Sequence, residues 1–308
     1  MSANPAAARW LVTGAAGMLG RDVLAALAGA GIEAVGLRRA DLDITDPAAV
    51  RSAVEGAAVV VNCAAWTDVD GAESAETAAT AVNGTGVRVL AAACAEAGAR
   101  LLHVSTDYVL PGDATEPYAE SAATGPVNAY GRSKLVGEQA VAELLPYDGY
   151  VVRTAWLYGE HGPNFVATML GLAARRDHLD VVDDQHGQPT WTRALAARLV
   201  ELGLAALAGR APAGVYHGTA SGRTTWFGLA REAYRLSGLD PERIRPTTSE
   251  AFVRPAARPA FSVLAHDRWA EAGLAAPADW RDQLAEALRA PAFSALAGAA
   301  AARDGSSG

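Results

Sequence analysis

The chain has 308 residues, 51% of them hydrophobic and 19% charged, with a formal net charge of −8. This composition excludes a disordered chain and leaves ample core for one large α/β unit or two domains. The acidic balance argues against a general binder of nucleic acid or of anionic membranes, and any anionic ligand would need a local cluster of positive groups.

No apolar run reaches ~18 residues, so no membrane-spanning helix is expected, and Met1 to Ala8 lacks the basic-then-apolar pattern of a secretory leader. The only cysteines, Cys63 and Cys94, have no metal-ligand spacing and sit in apolar surroundings. Two buried free thiols in a reducing cytoplasm are expected. His103, His186 and His217 are scattered, and no metal site is expected.

In chain order, residues 9–13 read as a first strand and 18–29 as a first helix, with Gly31 as its C-cap. Between them lies the turn Gly14-Ala15-Ala16-Gly17-Met18-Leu19-Gly20. Its glycines suit a tight turn, a close backbone approach to a pyrophosphate and close helix–strand packing. Ile32 to Arg38 predicts strand two, Asp41 to Asp46 a polar loop, and Asp46-Pro47 a helix start. Ala57 to Ala65 is a near-continuous apolar run, typical of a buried parallel strand. A long helix is expected over Glu73 to Ala97, eased at Gly84 and Gly86 and stopped by Gly98. Leu101 to Val104 reads as strand four, Pro111 to Pro126 as a loop, Tyr130 to Leu145 as a helix and Tyr150 to Val152 as strand five.

This alternation implies a Rossmann-type, doubly wound parallel sheet with helices on both faces. A nucleotide-binding domain is expected over residues 1–152. Residues 153–290 would complete the sheet and form a smaller substrate-binding domain, with helices near 164–175, 193–208 and 226–237 and strands near 179–182 and 215–217. Residues 291–308, rich in Ala, Gly and Ser, are expected to be frayed or disordered.

Two further clusters carry chemistry. Tyr130 and Lys134 are i and i+4 and share one helix face. Ser105-Thr106-Asp107-Tyr108 lies at the carboxyl end of strand four, where open α/β sheets bind ligands. A lysine ammonium ~4 Å from a phenol, at an effective dielectric of ~20, stabilises phenolate by ~4 kcal/mol. That is worth roughly three pKa units and would bring Tyr130 from ~10 to ~7 before desolvation pushes back. The Thr106 hydroxyl can hold a reacting oxygen against Tyr130.

The glycine turn, Thr106 and Tyr130-x-x-x-Lys134 together resemble the extended short-chain dehydrogenase/reductase superfamily. More narrowly, residues 10 to 289 resemble the dTDP-4-dehydrorhamnose reductase family. The likeness lies in residues 61–70 (Val-Asn-Cys-Ala-Ala-Trp-Thr-Asp-Val-Asp), 105–109, 128–138, 153–159, Asn164-Phe165, 184–190, Arg258-Pro259, Ser262 and Leu264.

The resemblance implies hydride delivery from NADPH or NADH to the C4 carbonyl of a dTDP-4-keto-6-deoxy sugar, with Tyr130 as proton donor. Lys134 would also hold the nicotinamide ribose. By the same likeness Thr106, Asp107 and Trp156 would contact the sugar nucleotide, Gly14, Gly17, Met18 and Leu19 the pyrophosphate, and Asp43 and Ile44 the adenine. Ala65, Trp66 and Thr67 would line the cofactor beyond strand three. Leu110 and Pro111 depart from the usual family pattern in the loop over the sugar, and Trp66 stands where Tyr or His is more usual. A homodimer is left open.

An acid at the end of strand two would bind a ribose 2′-OH. Here that place holds Arg38, with Arg39 beside it, and arginine forks onto phosphate oxygens. NADPH is therefore expected over NADH. Sugar-nucleotide dehydratases of the superfamily use an Asp-Glu pair after the Thr, whereas Tyr108 follows Asp107 here. Epimerases usually carry an acid where Arg38 stands. A non-catalytic, NADP-binding regulatory subunit is the alternative of a different class, and it would have no need of Thr106, Tyr130 and Lys134 together. Arg254 and Arg258, set among prolines, fit either a diphosphate-gripping loop or a solvated one.

Overall fold

The computed structural model describes residues 8–305, so the expectations for Met1 to Ala7 and for the last three residues lie outside the described residues. The N-terminal half alternates β1 (Trp10–Thr13), α1 (Met18–Gly29), β2 (Ala34–Leu37), α2 (Pro47–Val54), β3 (Val59–Asn62), α3 (Val69–Ser74) and α4 (Glu76–Thr80). A π-helical turn over Ala81–Gly86 leads into α5 (Val87–Ala97), followed by β4 (Arg100–Thr106), α6 (Ala129–Leu144) and β5 (Gly149–Thr154).

The remainder holds β6 (Leu157–Tyr158), α7 (Phe165–Ala173), β7 (Leu179–Val182), β8 (His186–Gly187), β9 (Thr190–Trp191) and α8 (Thr192–Leu207). Next come β10 (Gly214–His217), β11 (Thr224–Thr225), α9 (Trp226–Leu236), β12 (Ile244–Thr247), α10 (Asp267–Glu271), α11 (Trp280–Ala287) and α12 (Pro291–Gly305).

Six strands form one parallel sheet in the order β10-β5-β4-β3-β1-β2. The central strands are apolar on both sides because both faces are covered. Trp10, Val12, Val59 and Val61 point to the layer of α1 and α8, while Leu11, Val60 and Leu101 point to α2 and α5. α8 lies close over β1: a Cβ on Gly203 would come within 2.2 Å of the Trp10 ring.

The chain reverses its winding direction between β1 and β3, which opens a crevice at their carboxyl ends. A second core, with Tyr158, Leu170, Trp191, Leu229, Tyr234 and Trp280, fills the C-terminal half.

Three expectations need correction. The helix expected from Glu73 to Ala97 is broken after Ser74 and wound as a π-turn over Ala81–Gly86, where Gly84 and Gly86 pack against Val136 and Ile44. The segment from Pro291 is not frayed: α12 buries Phe293 against Tyr158, with ring centroids 6.4 Å apart, and also buries Ala300. Its alanine content is that of a packed helix. Cys94 is fully buried, but Cys63 is only half-buried.

Candidate active site

At the crevice, Gly14 adopts a left-handed backbone (φ +66°) that turns the chain from β1 toward α1. A Cβ there would lie 2.6 Å from the Cys63 carbonyl carbon and the Ala64 nitrogen, so the turn rests directly on the end of β3. Gly17 caps α1 without a side-chain hydrogen bond, and the first turn of α1 carries no acid. The N–H groups of Met18 and Leu19 therefore have no intrahelical partner, as an anion-binding helix start requires. This bare, side-chain-free cradle fits a dinucleotide pyrophosphate.

Loop 63–68 follows β3. Its Trp66 is clamped by Asn83 of the π-turn, which accepts from the Trp66 N–H at 2.9 Å and donates to its carbonyl at 3.1 Å. Asn83 also donates to Ser133 on α6. Nothing in a periodicity argument singles out Asn83; the signal was the glycine-flanked interruption of an otherwise helical run. Thr67 is exposed and Ala65 half-buried beside it.

α6 begins at Asn128, whose side chain accepts from the Gly131 N–H at 2.8 Å. Tyr130 therefore stands on the first turn and Lys134 one turn further along. Gly131 allows this close docking, because a Cβ there would lie 2.2 Å from the Tyr108 carbonyl oxygen. The buried Lys134 ammonium donates to the Val104 carbonyl at 2.7 Å, which pins it to β4, the strand that ends in Thr106. The Thr106 hydroxyl donates to Asp107 Oδ1 at 3.0 Å and accepts from the Tyr108 N–H. Thr106, Asp107, Tyr130 and Lys134 are thus brought to one end of β4.

The electrostatics differ from expectation. Burial, with the Asp107 charge adding to it, pushes the Tyr130 phenol above its ordinary range; a hydrogen bond with Thr106 acts weakly the other way. The lowering by Lys134 that simple spacing suggests does not offset the burial, and the ammonium is directed at the Val104 carbonyl instead. Burial brings Lys134 down to about 8, against the favourable charge of Glu138. Burial raises Asp107 to about 6, partly offset by hydrogen bonds from Ser262 and Thr106. At neutral pH this leaves a protonated phenol beside a mostly protonated ammonium.

The other expected residues separate into groups. Arg38 is exposed and forks onto Asp41, with Nε–Oδ2 2.8 Å and Nη2–Oδ1 2.9 Å. Asp43 caps its own turn by accepting from the Thr45 N–H and hydroxyl. The Ile44 side chain is buried in the core against Gly86, so only its backbone is free to meet a ligand.

Trp156 has φ +47°, unusual for a bulky residue. Its ring stacks on Trp226 at 3.7 Å and 12°, and a Cβ on Gly187 would come within 2.5 Å of it. Trp226 in turn lines a cavity of about 740 Å³, together with Phe165, Asp180, Gln185, Arg254 and Arg258. Arg258 joins the cavity to the β4 cluster: its guanidinium lies 5.9 Å over the Tyr108 ring, which meets Tyr130 edge-on at 5.8 Å.

A pyrophosphate cradle, a tyrosine–lysine helix face and a polar strand end over a large cavity define a Rossmann-type nucleotide-dependent oxidoreductase. The chain belongs to the family described by the RmlD substrate binding domain, whose model matches residues 8–292. It is 59% identical to a dTDP-4-dehydrorhamnose reductase of Streptomyces griseus, over 94% of this chain and 95% of that protein. It is 53% identical to a dTDP-4-keto-6-deoxy-D-glucose reductase of Streptomyces niveus, over 91% and 96%. The fold is similar to a dTDP-4-dehydrorhamnose reductase of Bacillus anthracis solved in complex with NADP, with a TM-score of 0.86 at 34% identity, covering 91% of this chain and 98% of that one.

Proposed function

We propose that the chain reduces the C4 keto group of a dTDP-4-keto-6-deoxy sugar with NADPH, converting dTDP-4-dehydro-L-rhamnose to dTDP-L-rhamnose. The observation that carries the reading is the convergence of Thr106, Tyr130 and Lys134 at the end of β4. Identity to named reductases over nearly the whole chain supports it.

NADPH, when bound, supplies the hydride. Residues 14–19 hold its pyrophosphate, residues 65–67 flank it, Asp43 and the Ile44 backbone meet the adenine, and Lys134 holds the ribose. Arg38 exchanges Asp41 for the 2′-phosphate; its present partner is an exposed carboxylate, and such pairs contribute only ~0.2–1 kcal/mol. Thr106 Oγ1 holds the C4 oxygen. Tyr130 Oη donates its proton to that oxygen as negative charge develops there. A phenol kept protonated at neutral pH is the form a reductase needs at the start of turnover. Lys134 stabilises the phenolate left behind, and Asp107 and Trp156 orient the sugar.

A second reading has the same chemistry but a different sugar epimer, and the Streptomyces niveus relative favours it. Incubation with NADPH and a panel of dTDP-4-keto-6-deoxyhexoses, with the product identified by NMR, tests both. Tight NADPH binding without turnover on any member would sink the enzyme reading and leave a regulatory NADP-binding protein. The reading includes action in the cytoplasm, in keeping with two unpaired cysteines. It also includes a homodimer, which light scattering would test.

A further inference from the structure

The segment 252–259 crosses from the C-terminal half to the N-terminal half and forms one wall of the 740 Å³ cavity. It holds no regular secondary structure, and Phe252 and Val253 are exposed. Such a strap needs an external anchor to hold one shape.

The anchor is Asp70, on the two-turn α3. Its Oδ1 receives Arg258 Nη2 at 3.0 Å and the Ala256 N–H at 3.3 Å, and its Oδ2 lies 3.8 Å from Arg254 Nη1. A second tie comes from Asn128, the cap of α6, which donates to the Ala257 carbonyl at 2.9 Å. α3 itself follows directly on loop 65–67: the Trp66 indole donates to the Asp68 carbonyl at 2.8 Å, and Asp68 caps the Gly71 N–H. Asp70 is thus built onto the wall proposed for the cofactor, while both arginines it holds line the cavity proposed for the sugar nucleotide.

We infer that Asp70 is a positioning residue for substrate: its carboxylate presents Arg254 and Arg258 to the diphosphate of the sugar nucleotide without itself touching it. The inference rests on the reading of the cavity as the sugar-nucleotide site. Each guanidinium has five N–H donors, and a single carboxylate occupies at most two or three of them. The remainder stay available to phosphate oxygens, already oriented. Preorganisation of this kind raises affinity by removing the ordering cost at binding. It acts on ground state and transition state alike, so its loss appears in KM rather than kcat.

The test compares wild type, Asp70→Asn and Asp70→Glu by calorimetric titration with dTDP and with NADP+, and by steady-state kinetics. Asp70→Asn is expected to weaken dTDP and raise substrate KM by about fivefold to tenfold, the scale of one partly buried ion pair, with kcat and NADP+ affinity within about twofold. Asp70→Glu, which keeps the charge, is expected to recover most of the loss. An unchanged dTDP affinity in Asp70→Asn overturns the inference, as does a tightened one, which would make Asp70 a competitor of the diphosphate. Equal losses of dTDP and NADP+ affinity, or of kcat, also overturn it by exposing a general structural role. If Asp70→Asn does not fold, Asp70→Ser takes its place with the same outcomes: weakened dTDP binding with kcat and NADP+ affinity kept upholds the inference, and unchanged dTDP binding overturns it. Failure of wild type to bind dTDP at all would instead sink the reading of the cavity.

Discussion

Replacing Glu138 by Gln removes one carboxylate that serves two partners. Arg153 on β5 donates to it from Nε at 3.0 Å and from Nη2 at 2.7 Å, and the two side chains are only 4% and 6% exposed. Arg153 Nη1 is buried without a partner, so no spare hydrogen bond cushions the loss. Stranding a buried charge in this way costs about 3–5 kcal/mol of stability.

The second partner is Lys134, one turn earlier on α6, whose charged form Glu138 favours. Two charges one helical turn apart, at ~6 Å and an effective dielectric of ~20, attract by ~3 kcal/mol. Losing that attraction lowers the Lys134 pKa by up to about two pH units. If the charged Lys134 ammonium is needed to stabilise the Tyr130 phenolate, kcat/KM falls on the alkaline side through about 8 in the wild type. In Glu138→Gln that limb moves down by up to about two units. The double variant Glu138→Gln/Arg153→Met restores stability and not the limb. A pH profile of kcat/KM beside urea unfolding reads both. An alkaline limb that stays in place or moves up in a folded Glu138→Gln refutes the reasoning.

Stability should follow pH through Lys134 as well. Its folded pKa is depressed from 10.5 to about 8, so the fold is favoured most above 10.5 and loses up to about 3 kcal/mol as pH falls from 10.5 to 8, with no further loss below; a urea midpoint with the same slope over this window in wild type and in Lys134→Met contradicts the burial cost. Tyr130→Phe is expected to lower kcat by ~10²–10⁴ while NADPH affinity stays within about twofold, measured by single-turnover kinetics and fluorescence titration. Arg38→Ala should reduce the ratio of kcat/KM for NADPH over NADH by about tenfold, and an unchanged ratio removes Arg38 from the 2′-phosphate. Phe293→Ala should destabilise by about 3–5 kcal/mol if α12 is an integral part of the second core; a loss below ~1 kcal/mol would return it to a dispensable tail.

The elements that position the cradle and the β4 cluster were legible because local chemistry and global packing agree there. The apolar run at Val59–Val61 could only be a strand covered on both faces, and Gly14 and Gly17 only a turn into a helix start. Tyr130 and Lys134 were legible as a pair because helical spacing is a local rule. How far burial raises Tyr130 was not legible, since desolvation depends on what the tertiary fold stacks around it, and neither was the turn of the Lys134 ammonium to the Val104 carbonyl. Asn83 and Asp70 escaped notice for the same reason: their partners lie 17 and about 186 residues away. The last helix was misjudged because alanine and glycine speak against a core only until a Phe among them finds a ring to pack against.

The place of β10 in the sheet bears on how the molecule is made. β5 is buried at every position, and its outer edge is covered only by β10, some sixty residues later. A nascent chain leaving the ribosome therefore carries an apolar strand whose outer edge has no neighbour until Gly214–His217 has been synthesised. The nucleotide-binding half cannot mature as a separate unit and wait for its partner. A fragment ending near residue 152 is expected to recruit other copies of itself at that edge, so the route to native enzyme depends on the later half arriving before a second chain does.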